Sequence, residues 1–196
     1  MEYIVPIFCG NSFGGVGVFA KDLFITAGHV AHLYDEINIC YKGKKCVFKK
    51  EDALLLSVAS KENPDFDIAV YKQQIVVSPL VLAREIPSIT LQLHSLSCEL
   101  VERHTEPIDS TNIFSNISNL EIEMVQYDIT GKLEYVEGNF FLCNMDEPLK
   151  VGFSGSPIMR GNVIYGFLSG AIDDDHGNGR KCVYQSSLSL VEMLQA

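Results

Sequence analysis

The chain has 196 residues, 47% of them hydrophobic, and a formal net charge of −10. This composition supports a sizeable core and excludes a disordered chain, and the acidic balance argues against a nucleic-acid-binding protein. No apolar run approaches the roughly 18 residues that a membrane-spanning helix needs. Residues 1–8 also lack the basic region and small-residue cleavage site of a secretory signal. We therefore expect a cytoplasmic protein that binds neither nucleic acid nor a membrane.

The first part of the chain alternates short β-prone runs with glycine turns. A histidine follows one of these runs, in the segment Thr26–His32, and we expect it to lie in a single helical turn. The acid of Phe66-Asp67-Ile68 leads into a buried strand. The predicted strands are 3–8, 16–20, 23–26, 37–41, 46–49, 54–60 and 66–71.

The second part resumes this rhythm after a crossover at 78–87. Loops are predicted at 105–119 and at the acidic segment 173–179, and the chain ends in a helix over 187–195. Many short strands without a sustained helical period predict an all-β barrel or sandwich. The predicted strands are 90–93, 98–102, 121–127, 132–136, 139–143, 157–159, 163–169 and 181–185.

Six cysteines occur without a Cys-x-x-Cys pair, which disfavours a zinc ribbon and, without a secretory signal, favours reduced thiols. Cys40 and Cys46 flank a lysine-rich turn and leave two alternatives open, a disulfide across a hairpin or buried thiols. His32 lies three residues after His29, a spacing that suits a metal on a helix, but no third ligand is evident. We expect no metal and no other cofactor.

The segment Val151–Pro157 places Ser154 between glycines. Glycine permits backbone torsions that direct consecutive N–H groups into one concavity, from whose rim a serine hydroxyl can project. A nucleophilic serine needs both a base and donors for the oxyanion. The alternative is an ordinary turn, which is what such clusters usually form.

His29, Asp67 and Ser154 form a set that gives this turn a chemical context. They are separated by 67 − 29 = 38 and 154 − 67 = 87 residues. Acyl transfer needs a base for the serine proton and a carboxylate that holds the base in one tautomer. Each residue also has a simpler interpretation, as a cap or a turn residue. In this order and context, the catalytic interpretation is favoured.

Three blocks carry a family resemblance: Thr26-Ala27-Gly28-His29, Asp67-Ile68-Ala69-Val70 and Gly152–Pro157. They resemble the motifs of the chymotrypsin-like (trypsin-fold) serine peptidases, most closely the bacterial branch with the HtrA-type and glutamyl-endopeptidase-type enzymes. The resemblance implies two packed antiparallel six-stranded β-barrels with a short C-terminal helix and an active site between the barrels. The resemblance thus predicts one peptidase domain over 1–196, with barrels at 1–77 and 88–186 and a helix at 187–196.

The resemblance also implies roles for individual residues. Ser154 is the nucleophile, His29 the general base and then acid, and Asp67 the orienting carboxylate. The N–H groups of Gly152 and Ser154 form the oxyanion hole.

The strand that contains Ser169, Gly170 and Ala171 matches the segment that binds extended substrate backbone, with Ser169 close to Asp67. Main-chain pairing with an extended substrate holds its peptide bond in place without depending on most of its side chains.

Two residues of the serine block depart from the pattern of the secreted enzymes. Phe153 replaces the acid that binds a newly freed amino terminus, which fits an enzyme that is active as synthesised or gated by other means. Ser156 replaces a usual glycine and is a second, less favoured candidate for the nucleophile. Val30 also stands where the secreted enzymes have a cysteine, so their disulfide is absent.

These observations predict a serine endopeptidase that cleaves extended polypeptide through an acyl-enzyme. The alternative is a catalytically silent trypsin-fold module that binds extended peptide segments. An esterase-like hydrolase on this fold is disfavoured, because the chain lacks the nucleophile elbow and βα alternation. The expected partner is a polypeptide substrate, and gating could come from a regulatory protein partner, from loops or from assembly.

Overall fold

The computed structural model describes residues 2–59, 66–87, 90–102, 120–172 and 180–196. This part of the chain is mostly β-strand, as the sequence predicts. Its helices are α1 (Gly28–His32), α2 (Ser187–Gln195) and a 3₁₀ turn at Lys50–Asp52. The all-β class and the terminal helix are therefore confirmed. The predicted loops at 105–119 and 173–179 lie outside the described residues.

Seven antiparallel strands from the first part of the chain form one curled sheet, in the order β5-β4-β1-β2-β3-β7-β6. Within the described residues, no hydrogen-bond ladder joins its edge strands β5 and β6, so this sheet is a half-barrel rather than a closed barrel. The strands are β1 (Ile4–Cys9), β2 (Ser12–Ala20), β3 (Leu23–Thr26), β4 (Glu36–Tyr41), β5 (Lys44–Lys49), β6 (Ala53–Ser57) and β7 (Ile68–Lys72).

The second sheet closes on itself. Its order is β12-β9-β10-β11-β14-β13-β8, and an additional β12–β13 ladder completes a ring of six strands. The seventh strand, β8, pairs in parallel with β13 outside that ring. The strands are β8 (Val81–Leu82), β9 (Leu91–Glu102), β10 (Leu120–Glu137), β11 (Phe140–Met145), β12 (Pro157–Arg160), β13 (Val163–Ile172) and β14 (Lys181–Ser186).

Strands β9 and β10 are each continuous where the sequence predicts two short strands. They pair along twelve successive positions, from Leu91 opposite Gly131 to Glu102 opposite Leu120. The predicted breaks are at polar residues such as His94 and Asp128, which face each other in this ladder and hydrogen bond. Polar residues can continue a strand when they pair across it, and therefore the prediction of a break was wrong here.

A hydrophobic cluster shared by both sheets joins them into one body. Val16 and Ile68 from the first sheet and Phe167 from the second are all fully buried in it. Leu190 of α2 is also fully buried there, because the apolar face of this helix packs onto the β8 edge of the second sheet. The shared cluster holds the two sheets together, so residues on either side of their interface keep a fixed distance.

The register of the β4–β5 hairpin decides whether Cys40 and Cys46 can form a disulfide. The hairpin turn is the two-residue Lys42-Gly43, with positive φ at both residues, so Cys40 pairs with Lys45 and Cys46 with Ile39. Since side chains alternate faces along a strand, the two cysteines point to opposite sides of the ribbon. Both are thiols, Cys40 exposed and Cys46 partly exposed. The disulfide alternative and the buried-thiol alternative are therefore both wrong for this pair.

Candidate active site

Neighbouring strands of the first sheet bring His29 and Asp67 together. Strand β3 ends at Thr26, which pairs with Ala69 near the start of β7. The chain that leaves β3 and Asp67, which precedes β7, therefore emerge at the same edge of the sheet. His29 lies in the helical turn α1 just past that edge.

The Asp67 carboxylate binds His29 through both of its oxygens. The His29 backbone N–H donates to Oδ1 at 2.8 Å, and Nδ1 of the ring lies 2.8 Å from Oδ2. The imidazole must carry its proton on Nδ1 to donate this second bond, which leaves Nε2 as a proton acceptor. The ring edge is accessible, since 41% of the His29 side chain is exposed against 4% for Asp67.

Burial opposes ionisation of Asp67, but hydrogen bonds reverse that effect. Burial alone would raise the pKa of the carboxyl, whereas donation from His29 and from the Ser169 hydroxyl lowers it, with a net shift below the ordinary value. The Ser169 Oγ–Asp67 Oδ2 distance is 2.5 Å. The acid is thus held as a carboxylate, the form that orients a neutral imidazole.

Gln185 fixes the backbone of the acid, and sequence reasoning missed it. Its Oε1 accepts the Asp67 N–H at 2.9 Å, and its Nε2 donates to the Asn139 carbonyl at 3.0 Å. Gln185 is fully buried in β14, so both ends of its amide are satisfied inside the protein. The available signal was an uncharged polar residue inside an otherwise apolar strand, which is too common to be selected without the fold.

The serine turn packs directly on the first sheet. The Val16 N–H donates to the Ser154 carbonyl at 2.9 Å. Gly155 has φ +88°, and a Cβ there would lie 2.1 Å from the Val16 carbonyl oxygen and 2.5 Å from Thr26 Oγ1. Because no side chain fits at this position, only glycine lets the turn approach the end of β3, two residues before α1 begins. The turn therefore lies beside the edge from which His29 emerges.

The backbone around Ser154 leaves two N–H groups available as hydrogen-bond donors. Gly152 has φ +92°, a conformation that favours glycine. Within the described part of the chain, neither the Gly152 N–H nor the Ser154 N–H donates a hydrogen bond to the protein. Two amides of this kind, two residues apart and next to a partly exposed serine, suit the binding of an oxyanion. Among the same residues, no hydrogen bond joins the Ser154 hydroxyl to His29.

Buried contacts support the turn from beneath. Phe153 is 1% exposed and packs against Tyr127, with 5.3 Å between ring centroids. The Ser156 hydroxyl donates to the Phe153 carbonyl at 2.5 Å and lies 2.6 Å from Ser95 Oγ. Ser156 is fully buried, in contrast to the partly exposed Ser154, so an external carbonyl group could not reach it in this conformation.

The predicted substrate-binding residues lie on β13 just past the serine turn. Leu168 bonds to the turn, because its N–H donates to the Ser156 carbonyl and its carbonyl accepts the Gly155 N–H. The ladder between β13 and β12 ends at Phe167. From Ser169 through Gly170 and Ala171, this edge of β13 forms no ladder with any described strand, while the other edge pairs with β14.

No group of three metal-ligating side chains converges among the described residues. Nor does that part of the chain contain a helix long and apolar enough to cross a membrane.

Solved structures with the same architecture include neuropsin, a serine protease expressed in the limbic system of mouse brain. It has a TM-score of 0.66 and 13% identity over 99% of this chain and 93% of its own. The chain has the trypsin fold. A serine protease of a human pathogenic astrovirus has a TM-score of 0.58 and 15% identity over 94% of this chain and 89% of its own.

Not every structure with the trypsin fold that matches is named as a protease. A mutant of human heparin binding protein has a TM-score of 0.67 and 10% identity over 99% of this chain and 90% of its own. No protein-family model and no curated protein matches the chain. The trypsin fold alone therefore does not establish the chemistry, which has to be inferred from the geometry of the site.

Proposed function

We propose that this protein is a serine endopeptidase that hydrolyses peptide bonds of extended polypeptide through a His29–Asp67–Ser154 triad. The observation that carries the proposal is the two-point contact between Asp67 and His29, which fixes the tautomer with Nε2 as acceptor. The serine turn packs beside this pair through its bond to Val16. The hydrolase chemistry needs no metal or organic cofactor.

In the proposed mechanism, Ser154 Oγ attacks the scissile carbonyl carbon as its proton passes to His29 Nε2. The N–H groups of Gly152 and Ser154 bind the resulting oxyanion. His29 then protonates the leaving amine, and an acyl-enzyme remains on Ser154. Water attacks that ester with His29 again as the base, which releases the carboxylate product and restores the serine.

Phe153 supports a site that forms without cleavage of the chain. In place of a charged residue that needs an ionic partner, this buried ring packs against Tyr127 and anchors the turn by apolar contact. Since that anchor is intrinsic to the folded chain, we propose that the turn is active as synthesised, or gated by a regulatory partner rather than by proteolysis. The cytoplasmic location and the HtrA/glutamyl-endopeptidase branch likewise remain predictions.

Labelling with a fluorophosphonate probe, followed by peptide mapping, tests the nucleophile. Because the probe needs an activated serine, we expect stoichiometric label on Ser154 and loss of label in Ser154→Ala and in His29→Ala. Ser189→Ala, which removes a hydroxyl on α2 far along the chain, is the matched control and should label like the wild type.

Other labelling results would contradict the proposal in different ways. Label on Ser156 would show that the turn rearranges and that the nucleophile is misassigned. A well-folded wild type without label would favour the second candidate, a catalytically silent module that binds extended segments. One observation favours that candidate: within the described residues, Ser154 and His29 form no hydrogen bond.

A further inference from the structure

Lys150 begins the turn that carries the first of the two available N–H groups. Its carbonyl accepts the Phe153 N–H at 3.3 Å and so closes a four-residue turn with Val151 and Gly152 at its centre. The Val151 side chain is 100% exposed and therefore gives this turn no apolar anchor. The direction of the Gly152 N–H, one of the proposed oxyanion donors, thus depends on how the two ends of the turn are held.

The side chain of Lys150 is held by two residues of the second barrel. Its Nζ donates to Glu99 Oε1 on β9 and to the hydroxyl of Tyr127 on β10. The Tyr127 hydroxyl donates in turn to Glu99 Oε1. The ammonium also lies 4.6 Å from the centroid of the Tyr127 ring, so a cation–π contact adds to the hydrogen bonds. Each of the three side chains contacts the other two, and we call this group the lysine clamp.

The lysine clamp is continuous with the support of the serine turn. The Tyr127 ring, whose hydroxyl belongs to the clamp, is the ring that packs against Phe153, with 5.3 Å between centroids. Strands β9 and β10 therefore contact this segment at every third residue, namely Lys150, Phe153 and Ser156. Gly152 lies between the first two of these contacts, and Ser154 lies between the last two. Both proposed donors are thus bracketed by anchored residues.

The first sheet contacts the same turn from its other side. A Cβ at Gly152 would lie 2.5 Å from the Phe13 ring on β2, so that ring lies directly against the Gly152 backbone. Phe13 supports the turn by van der Waals contact, which leaves the direction of a peptide N–H open. The lysine clamp supports the turn by charge and by directional hydrogen bonds.

The exposure of the lysine clamp separates a role in positioning from a role in stability. Of the two ionic side chains, 49% of Lys150 and 27% of Glu99 are exposed. Ion pairs in contact with water add little to the stability of a fold. An oxyanion donor, however, acts only when it is held where the negative charge develops, so a small loss of order in the turn has a large effect on the rate.

We propose that Lys150 and Glu99 are positioning residues for the oxyanion hole, and that the lysine clamp holds the Gly152 N–H in the direction of the substrate carbonyl. This inference rests on the proposed function and identifies the residues that order its oxyanion donors. When the clamp is broken, the turn loses its fixed geometry while the barrels stay folded. The loss then falls on stabilisation of the transition state rather than on substrate binding.

The test compares catalysis with stability in variants that break the lysine clamp. With a cleavable peptide found in a library, Glu99→Gln and Lys150→Met should each lower kcat about 10–100-fold, somewhat less than the loss of an oxyanion donor itself. KM should stay within about threefold of the wild type. The Tm should change by less than about 4 °C, because the ion pair is partly exposed. A purely structural role predicts the reverse, a lowered Tm with unchanged kcat per folded enzyme.

Three further variants show whether the charge contact itself is responsible. Lys72→Met is the matched control, since Lys72 forms a similarly exposed ion pair with Asp22 at the end of β7 away from the site, and its kcat should match the wild type. Lys150→Arg keeps a cation that reaches Glu99 and should hold kcat within about fivefold of the wild type. In the double variant Glu99→Gln/Lys150→Met, the loss should equal that of either single variant, because both break the same contact.

Hydrogen exchange gives a readout that needs no activity. The Phe153 amide, which bonds to the Lys150 carbonyl, should exchange faster in Glu99→Gln than in the wild type and at an unchanged rate in Lys72→Met. Losses that multiply in the double variant, or unchanged kcat and exchange in both single variants, would overturn the inference.

The two proposals fail in distinguishable ways. Fluorophosphonate label on Ser154 and cleavage at the wild-type rate in both clamp variants would leave the peptidase proposal standing and remove this inference. A wild type that neither labels nor cleaves would overturn the proposed function and this inference with it.

Discussion

Asp67 is constrained from three directions at once. His29 contacts both of its oxygens, the Ser169 hydroxyl donates to one of them, and Gln185 accepts its backbone N–H. These contacts come from both sheets, so the acid is a link between them as well as the proposed orienter of the base. A carboxylate that accepts several hydrogen bonds stabilises the folded state only while it is ionised.

This dependence predicts how Asp67→Asn changes stability with pH. Because the folded pKa of Asp67 is lowered, the carboxylate contributes its full stability above the unfolded pKa of about 3.9 and loses it as the pH falls through the folded pKa. The wild type should therefore exceed Asp67→Asn in free energy of unfolding at pH 6, and the difference should shrink steadily between about pH 5 and pH 2. Urea denaturation across this range measures it.

Asp146→Asn is the matched control, since Asp146 is exposed and its side chain forms no ion pair within the described residues. The difference between this control and the wild type should be small at every pH. An Asp67→Asn difference that stays constant from pH 5 to pH 2 would mean that the native contacts do not favour the ionised acid.

The residues that support the site were harder to predict than the candidate triad itself. His29, Asp67 and Ser154 could be selected from the sequence because each lies in a short motif and their order carries meaning. Gln185 and Ser95 lie in no motif, and their roles exist only because β14 and β9 pass beneath the site. The burial of Ser156, which separates it from Ser154, also depends on tertiary packing rather than on local sequence.

At the scale of elements, the serine turn is held in place by close backbone contact with the first sheet. Gly155→Ala would place a methyl group 2.1 Å from the Val16 carbonyl oxygen, at a φ of +88° that alanine rarely adopts. Since backbone atoms cannot move aside cheaply, we expect a loss of several kcal/mol in unfolding free energy and of most fluorophosphonate labelling. Thermal unfolding and the labelling rate measure the two effects.

Gly161→Ala is the control that separates the cost of backbone strain at positive φ from the cost of the steric clash. Gly161 also has positive φ, +58°, in the turn between β12 and β13, but a Cβ there would meet nothing within 4 Å. Its replacement should cost only the conformational strain, about 1–2 kcal/mol, and should leave labelling intact. Equal effects of the two substitutions would mean that close approach to the first sheet is not what positions the serine.

Element prediction succeeded where local signals coincide with the fold. Strand β3 and helix α2 have their predicted bounds, because turn residues or a change of period mark both of their ends. Strands β9 and β10 were divided in error, because polar residues in their middle resemble loops until the partner strand is known. The loop of the β4–β5 hairpin is two residues shorter than predicted, and this register decides which cysteines share a face.

At the scale of the whole molecule, the shared cluster determines whether the predicted halves 1–77 and 88–186 behave as separate units. The cluster contains Val18 from the first sheet, Phe167 from the second and Leu190 from α2, all fully buried. The Asp67–Ser169 and Asp67–Gln185 bonds also cross between the sheets. Unfolding of either sheet by itself would expose its share of this cluster to water and lose the stabilisation that burial gives. We therefore expect one cooperative unfolding transition.

Leu190→Ala tests that coupling. Loss of a fully buried leucine should lower the unfolding free energy by about 2–5 kcal/mol, which corresponds to about 4–20 °C in Tm for a chain of this size. Leu194, one turn further along α2, is 38% exposed, so Leu194→Ala should cost well under half of that free energy.

Hydrogen exchange then compares peptides from β2 and from β13. If the two sheets unfold together, the protection of both falls by the same free energy in Leu190→Ala. A loss of protection confined to β13 would show instead that the second barrel opens by itself. The geometry at Ser154 would then depend on the docking of two separate units rather than on the stability of a single fold.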